Sequence, residues 1–400
     1  VSAKVLCFAS AKGGAGKTMI TASVGAFLKA LGKRVVLVDA DAATNGLTLL
    51  YIKEVLSRQG ETDEGRFPEG LFEGNDLTDA TALHLPSGVD LIPATYHFVN
   101  TEAYRQEDFV ARLSRELGNL RSEYDYVLLD AQAGSDFCAS VAMRKSISDL
   151  VVLVAEYDPM SAAGIERLKG LLRDDLTYSR TWILLNKILP EFAKNFSDFL
   201  EIARYLNPIP WDADVVRAYA RRRLALDTEN GNAFTIALMQ TVRTLLGDDI
   251  EKDVKLWTEN RAEAIRLPIK AQYNDLENEL GFILEESAKA EAQQRRLDRW
   301  SFMGNIGIAA ASAGIGLVFI SDKGAANANL VALVTGAVSI AAIGLAIHKL
   351  FVVRLAPKTA DKLDLAKLNR RRQVIEDQLK KLETLRAADP EALLRARRET

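Results

Sequence analysis

Cysteine is nearly absent from this sequence: Cys7 and Cys138 are the two in 400 residues, each isolated in or beside an apolar run. Two lone thiols build neither a disulfide framework nor a metal-ligand spacing, which fits a reducing compartment. A charge excess of either sign is also lacking. With 51 Lys and Arg against 54 Asp and Glu, the net charge of −3 gives no bulk pull toward nucleic acid. No repeat and no low-complexity segment occurs. The first residues enter an apolar strand after a single lysine, without the charged, apolar and small-residue regions of a secretion leader. Membrane attachment, if any, is therefore expected from the other end of the chain.

At 48% hydrophobic and 26% charged, the chain can fill one sizeable α/β core and something more. Residues 1–252 alternate β-branched runs with helical-period segments. The runs are Val5–Ala9, Val35–Val38, Val89–Ile92, Tyr126–Leu129, Leu150–Val154 and Trp182–Leu185. Near-continuous apolar strands between amphipathic helices predict a mostly parallel sheet covered by helices on both faces. Residues 253–299 read as a charged, nearly glycine-free helical arm with a coiled-coil-like stripe of Leu276, Leu280, Ile283, Ala290 and Leu297, kinked or interrupted early by Pro268. Residues 300–353 read as a transmembrane helical hairpin. Residues 302–320 and 330–347 carry no charge, and each run is close to the ~30 Å needed to cross a bilayer as a helix. From 354 to 400 the chain is again helical, with Leu368, Ile375 and Leu382 at heptad spacing, able to fold back along 270–299.

The strongest chemical signal follows the first strand. Lys12-Gly13-Gly14-Ala15-Gly16-Lys17-Thr18 joins that strand to a helix. Glycines let successive backbone N–H groups curl around a polyphosphate, and the helix N-terminus adds positive potential. Lys17 then reaches the β- and γ-phosphates while the Thr18 hydroxyl ligates Mg²⁺. Strand Val35–Val38 ends in Asp39 and Asp41, placed to bind Mg²⁺ through water or to polarise a water facing the γ-phosphate. Each is also explained by a strand-end cap or turn. Strand 126–129 delivers Asp130, a Walker B arrangement that brings one buried carboxylate to the metal.

The run from Lys12 to Thr18, with its extra first lysine, resembles the deviant Walker A of the ParA/MinD family of dimeric ATPases over the N-terminal 250 residues. The resemblance implies ATP and Mg²⁺ as cofactors and a homodimer closed across the nucleotide, with Lys12 reaching the partner's ATP. Asp39-Ala40-Asp41-Ala42-Ala43-Thr44-Asn45 is similar to the family's D-x-D-P-x-x-N. That makes Asp41 the water-positioning residue and places Asp39 in the outer metal shell. Ala42 stands where many members have proline, which implies a less rigid loop. Ala131-Gln132-Ala133-Gly134 resembles the D-x-P-A-G switch II with Gln132 in place of proline, and implies that Gly134 offers its N–H to the γ-phosphate. Asn186-Lys187 and Ile209-Pro210-Trp211-Asp212 resemble the base-binding elements, where Asn186, Pro210 and Asp212 would meet adenine; an ordinary turn explains either.

Arg295, Arg296 and Arg299 before the first uncharged span, and His348, Lys349, Arg354 and Lys358 after the second, put both ends of the hairpin on the cytoplasmic side. The expectation is a multi-pass protein of the inner membrane, touching lipid through 302–320 and 330–353. Its ATPase domain and C-terminus lie in the cytoplasm, switching an unidentified membrane-associated protein partner by ATP hydrolysis. A buried soluble hairpin is the other reading of the two spans. Two functional alternatives stay open: a nucleotide-bound scaffold with little turnover, and a DNA-partitioning ATPase using the basic run Arg221-Arg222-Arg223, though a solvated helix face accounts for that run.

Overall fold

The structure, a computed structural model, describes residues 2–60, 66–74, 79–101, 105–189, 191–192, 203–227, 232–321 and 359–396. The described residues form two compact units: those between 2 and 265 together with 389–396, and those of 266–321 with 359–388.

In the first unit the apolar runs pair as a sheet in the order β3-β4-β2-β5-β1-β6-β7-β8, with β9 beside β7. The long members are β1 (Lys4–Ser10), β2 (Val35–Ala40), β5 (Tyr126–Ala133), β6 (Leu150–Ala155) and β7 (Thr181–Ile188). The others, β3 (Leu83–His84), β4 (Asp90–Ile92), β8 (Arg204–Tyr205) and β9 (Ile209–Pro210), are short. Every pairing is parallel except β3 with β4. Strand alternation divides the core. Leu6, Phe8, Leu37 and Leu128 face one layer, and Val5, Cys7, Val38 and Leu129 face the other.

The first layer holds α1 (Lys17–Ala30), α2 (Gly46–Leu50), α3 (Ile52–Arg58) and α8 (Ala233–Leu246); the second holds α4 (Gln106–Glu123), α5 (Phe137–Ala142) and α6 (Pro159–Leu171). The sequence break at 252 falls inside the helix α9 (Asp248–Ser321), whose opening turns still bury Val254 and Trp257 in the first unit. Trp257 meets Phe27 edge to face at 5.4 Å. A short helix near the C-terminus belongs to this unit as well. In α11 (Pro390–Ala396) Leu393 and Leu394 are buried, and Glu391 pairs with Arg243 of α8 at 3.2 Å.

In the second unit α9 pairs with α10 (Thr359–Ala387) around Leu276, Ile283 and Ile375, with Leu280, Leu368, Leu379 and Leu382 alongside. Arg371 binds Glu279, and the Arg386 guanidinium lies over the ring of Tyr273. Later residues of α10 therefore meet earlier ones of α9, an antiparallel arrangement. Pro268 does not interrupt α9, which runs through it. Residues 302–320 are the last turns of α9, and 330–347 lie outside the described residues. Among the described residues no helix is long and apolar enough to cross a membrane.

One buried carboxylate fixes the loops beside the sheet. Glu73, 7% exposed, accepts from the N–H groups of Gly70, Tyr96 and His97 at 2.7–2.8 Å and from the Thr95 hydroxyl at 2.5 Å. Gly70 is needed there, since a Cβ would sit 2.6 Å from the Ala94 carbonyl and the Thr95 backbone. Burial alone would raise the Glu73 pKa, but the Thr95 hydroxyl and the three backbone donors together hold it below the ordinary glutamate value. Because its folded pKa is depressed, Glu73 stabilises the fold fully above the unfolded pKa and loses that contribution as pH falls through the folded one. Glu73→Gln, which sets an amide donor against donors, is expected to cost about 1–3 kcal/mol at pH 7 in urea unfolding. The difference from wild type should shrink below about pH 4.

Candidate functional site

Site residues gather where the parallel strands end and α1 begins. The P-loop leaves β1 at Ser10 and enters α1 through Gly16, whose φ of +91° lies in the left-handed region that glycine tolerates. A side chain at Gly16 would also strike the Asn186 amide. Below the loop, Lys17 is 6% exposed and its Nζ meets Asp130 Oδ1 at 2.6 Å, with Asp41 Oδ2 at 3.7 Å. The Thr18 hydroxyl donates to Asp130 Oδ2 at 2.7 Å. Burial opposes the charge of Lys17, but the Asp130 carboxylate outweighs it and lifts the lysine pKa above its usual value. Asp39 and Asp130 are register partners on β2 and β5, which explains why two strand-end acids share one metal-sized region. Asp39 is fully buried; burial, and then the Asp130 charge, push its pKa up to about 7 against the opposing Thr48 donors at 2.7 and 2.8 Å.

Asp41 caps its own loop. Its Oδ1 accepts from the N–H groups of Thr44 at 2.8 Å and Ala43 at 3.2 Å, and its Oδ2 from the Thr44 hydroxyl at 2.7 Å. The Thr101 hydroxyl donates to the Ala42 carbonyl and lies 3.4 Å from Asn45 Oδ1. These bonds tether the stretch where alanine replaces the proline of related loops. Rigidity expected from a ring is supplied here by side-chain hydrogen bonds.

A cavity of about 520 Å³ extends from the P-loop. Gly13, Gly14, Ala15, Gly16, Lys17 and Thr18 line it, with Asp41, Asn186, Pro210 and Asp212. Asp39, Asp130, Lys12 and Gly134 are not among its lining residues. The Gly134 N–H donates to the Ser10 carbonyl at 2.8 Å, so it is not directed at the phosphate position in this conformation. Asn186 donates to the Ala15 carbonyl at 2.8 Å, and Lys187 reaches the Gly14 carbonyl and Glu156. The two base-end residues thus brace the P-loop. Asp212 caps α7 (Ala213–Ala220) by accepting from the Asp214 N–H at 2.8 Å. Sequence reasoning missed the apolar wall of the cavity, where Trp211, Val216 and Tyr219 are each about half exposed. The strong amphipathicity of 213–220 was the available signal.

Lys12 is bound within its own chain, to Glu156 at 2.8 Å and Asp158 at 2.9 Å. The hydrogen bond that Lys12 donates to Glu156, then that to Asp158, raises the Lys12 pKa. Burial alone would raise the Asp158 pKa, but Lys12 and Ser161 bring it to about 2. Neither acceptor is apparent from the P-loop. Asp158-Pro159 is nonetheless a local helix-start signature, and Asp158 caps α6.

The donor set suits Mg²⁺ held jointly with phosphate: one hydroxyl, Thr18, and the carboxylates of Asp130 and Asp39, all hard oxygens. Among the described residues no cluster of three or more His, Cys, Asp or Glu could hold a metal by itself. Space for this is kept by Gly46, where a Cβ would stand 2.6 Å from the Thr18 hydroxyl and 3.5 Å from Asp130 Oδ2. Gly46→Ala is expected to leave thermal stability within about 1 kcal/mol. It should lower Mg-ATP affinity roughly tenfold or more, read by titration with a fluorescent nucleotide.

A family described as an AAA domain matches residues 3–175. An uncharacterized ATP-binding protein of Methanocaldococcus jannaschii is 26% identical over 63% of this chain and 92% of its own. The septum site-determining protein MinD of Bacillus subtilis is likewise 26% identical, over 63% and 92%. The structure of MinD from Pyrococcus horikoshii, complexed with Mg-ADP, aligns over 63% of this chain and 98% of that one at 19% identity and a TM-score of 0.46. Over its N-terminal part the chain is thus similar to an AAA domain family and to MinD and related ATP-binding proteins.

Proposed function

We propose that the chain binds ATP with Mg²⁺, closes on a second copy across the nucleotide, and uses ATP binding and hydrolysis to recruit, position or gate a membrane-associated partner. The observation that carries this reading is the buried Lys17–Asp130–Thr18 arrangement beneath a glycine loop and helix N-terminus, opening on a cavity of nucleotide size. In this scheme the P-loop N–H groups and Lys17 hold the phosphates, and Thr18 with Asp130 and Asp39 hold the metal. Mg²⁺ supplies charge neutralisation at the transferring phosphoryl group. Asp41 orients the attacking water, and Asn186, Pro210 and Trp211 border the base.

Pairing of two copies is supported by what surrounds Lys12. Its acceptor Asp158 lies between Tyr157 and Pro159, and the neighbouring side chains Tyr157 and Met160 are 38% and 75% exposed. A lysine held by carboxylates that are about 30% exposed can be traded to a partner's phosphate at small cost, since solvent-reached pairs contribute only about 0.2–1 kcal/mol. Membrane attachment is supported by the uncharged stretches 302–320 and 330–347 and by their basic flanks, with both ends on the cytoplasmic side of the inner membrane.

The test is the oligomeric state of the detergent-solubilised full chain with ADP, with ATP, and with ATP in Asp41→Ala. ATP is expected to shift monomer to dimer, and Asp41→Ala to retain that dimer. One constant oligomer under all three conditions would overturn the switch and favour a scaffold with little turnover. Lys12→Ala should abolish the ATP-dependent dimer. Glu156→Gln, which loosens the grip on Lys12, should strengthen it by roughly two- to fivefold in midpoint concentration.

A further inference from the structure

Hydrolysis in the proposed scheme needs a water held in line with the γ-phosphate, and one carboxylate is poorly equipped to hold it alone. A carboxylate offers about four acceptor positions. Asp41 already uses three of them on Ala43, Thr44 N–H and the Thr44 hydroxyl, which leaves room for a single O–H. A water fixed by one hydrogen bond still rotates about it, and in-line attack requires a second point of support.

That second point is present in switch II. On the β1 side, the register runs from Phe8–Asp130 to Ser10–Ala133, so Ala9 alone stands opposite both Ala131 and Gln132. This is a β-bulge, a device that re-aims side chains and is over-represented beside active sites. On the other side of β5, Asp39 pairs with Asp130 and Ala40 with Ala131, and the pairing ends there, one residue before Asp41 on that segment and Gln132 on β5. The amide oxygen of Gln132 is buried and has no hydrogen-bond partner. Buried acceptors are nearly always paired, so this orphan is free to accept from a donor outside the fold. A water molecule is the smallest such donor.

We infer that Gln132, together with Asp41, is the positioning residue for the attacking water. The inference rests on the proposed ATP hydrolysis. Gln132 Oε1 accepts one O–H of the water while Asp41 accepts the other. The water oxygen forms the new bond to the γ-phosphorus, and the bond to the bridging oxygen breaks with its electron pair remaining on ADP. The amide is neither acid nor base at neutral pH, so no proton rests on it, and the proton released by the water leaves with the phosphate product.

The experiment measures steady-state ATP turnover, ATP affinity by fluorescent-nucleotide competition, and the thermal midpoint of the nucleotide-free full chain for Gln132→Met, Gln132→Glu and wild type. Gln132→Met keeps the shape and loses the acceptor. It is expected to lower kcat roughly ten- to hundredfold, with ATP affinity within about twofold of wild type and no fall in the thermal midpoint. Gln132→Glu, which restores an acceptor, should recover part of the lost kcat. A Gln132→Met enzyme with wild-type kcat would overturn the inference. So would a kcat loss matched by equal losses of affinity and thermal midpoint, which would mark the amide as structural. Absence of turnover in wild type would instead defeat the underlying hydrolytic reading, and this inference with it.

Discussion

The contact between Lys17 and Asp130, 2.6 Å across a region almost closed to water, organises the site. Each charge is tolerable in that interior because the other is there, and removal of either leaves an uncompensated buried ion. Asp130 is brought to Lys17 by a strand, β5, that lies between β1 and β2 in the sheet. The register that sets Asp39 beside Asp130 also concentrates acid at the strand ends, and burial, with the Asp130 charge added to it, pushes the Asp39 pKa up to about 7. The same arrangement is suited to a multivalent anion and its cation: Lys17 and Thr18 are already oriented toward one point, and both currently bond to the carboxylate a metal would take.

Around this centre the P-loop is braced from several sides. Asn186 and Lys187 hold its carbonyls from the end of β7, while Glu156 and Asp158 hold Lys12 from the end of β6. Glu156 bonds Lys12 and Lys187 together, so the base end of the cavity and the outer lysine share one carboxylate. A shift at either lysine is felt by the other through a single side chain.

Much of this was legible in the sequence, and the reasons differ from residue to residue. Lys12 to Thr18 stood out because glycine spacing, a preceding strand and a following helix agree. Asp39 and Asp130 stood out because apolar runs that long have a defined end. The two-residue strands β3, β8 and β9 are too short to show alternation. Glu156 and Asp158 come to Lys12 from some 145 residues away, and no local pattern announces such a contact. The boundary at 252 followed a change in charge texture, but Trp257 lies beyond that change and packs on Phe27 all the same. The hairpin reading rests on 302–320, followed as backbone helix, and on 330–347, outside the described residues.

The return of residues 389–396 to the first unit changes what kind of object the second unit is. It is an insertion, not a tail: the chain leaves the ATPase unit along α9 and comes back to it at α11, where Leu393 and Leu394 are buried and Glu391 holds Arg243. A protein cut once between those crossings would therefore keep both fragments on the same unit, joined through α8 and α11 without a continuous backbone. Whatever load the insertion carries is shared by two strands of polypeptide rather than hung from one.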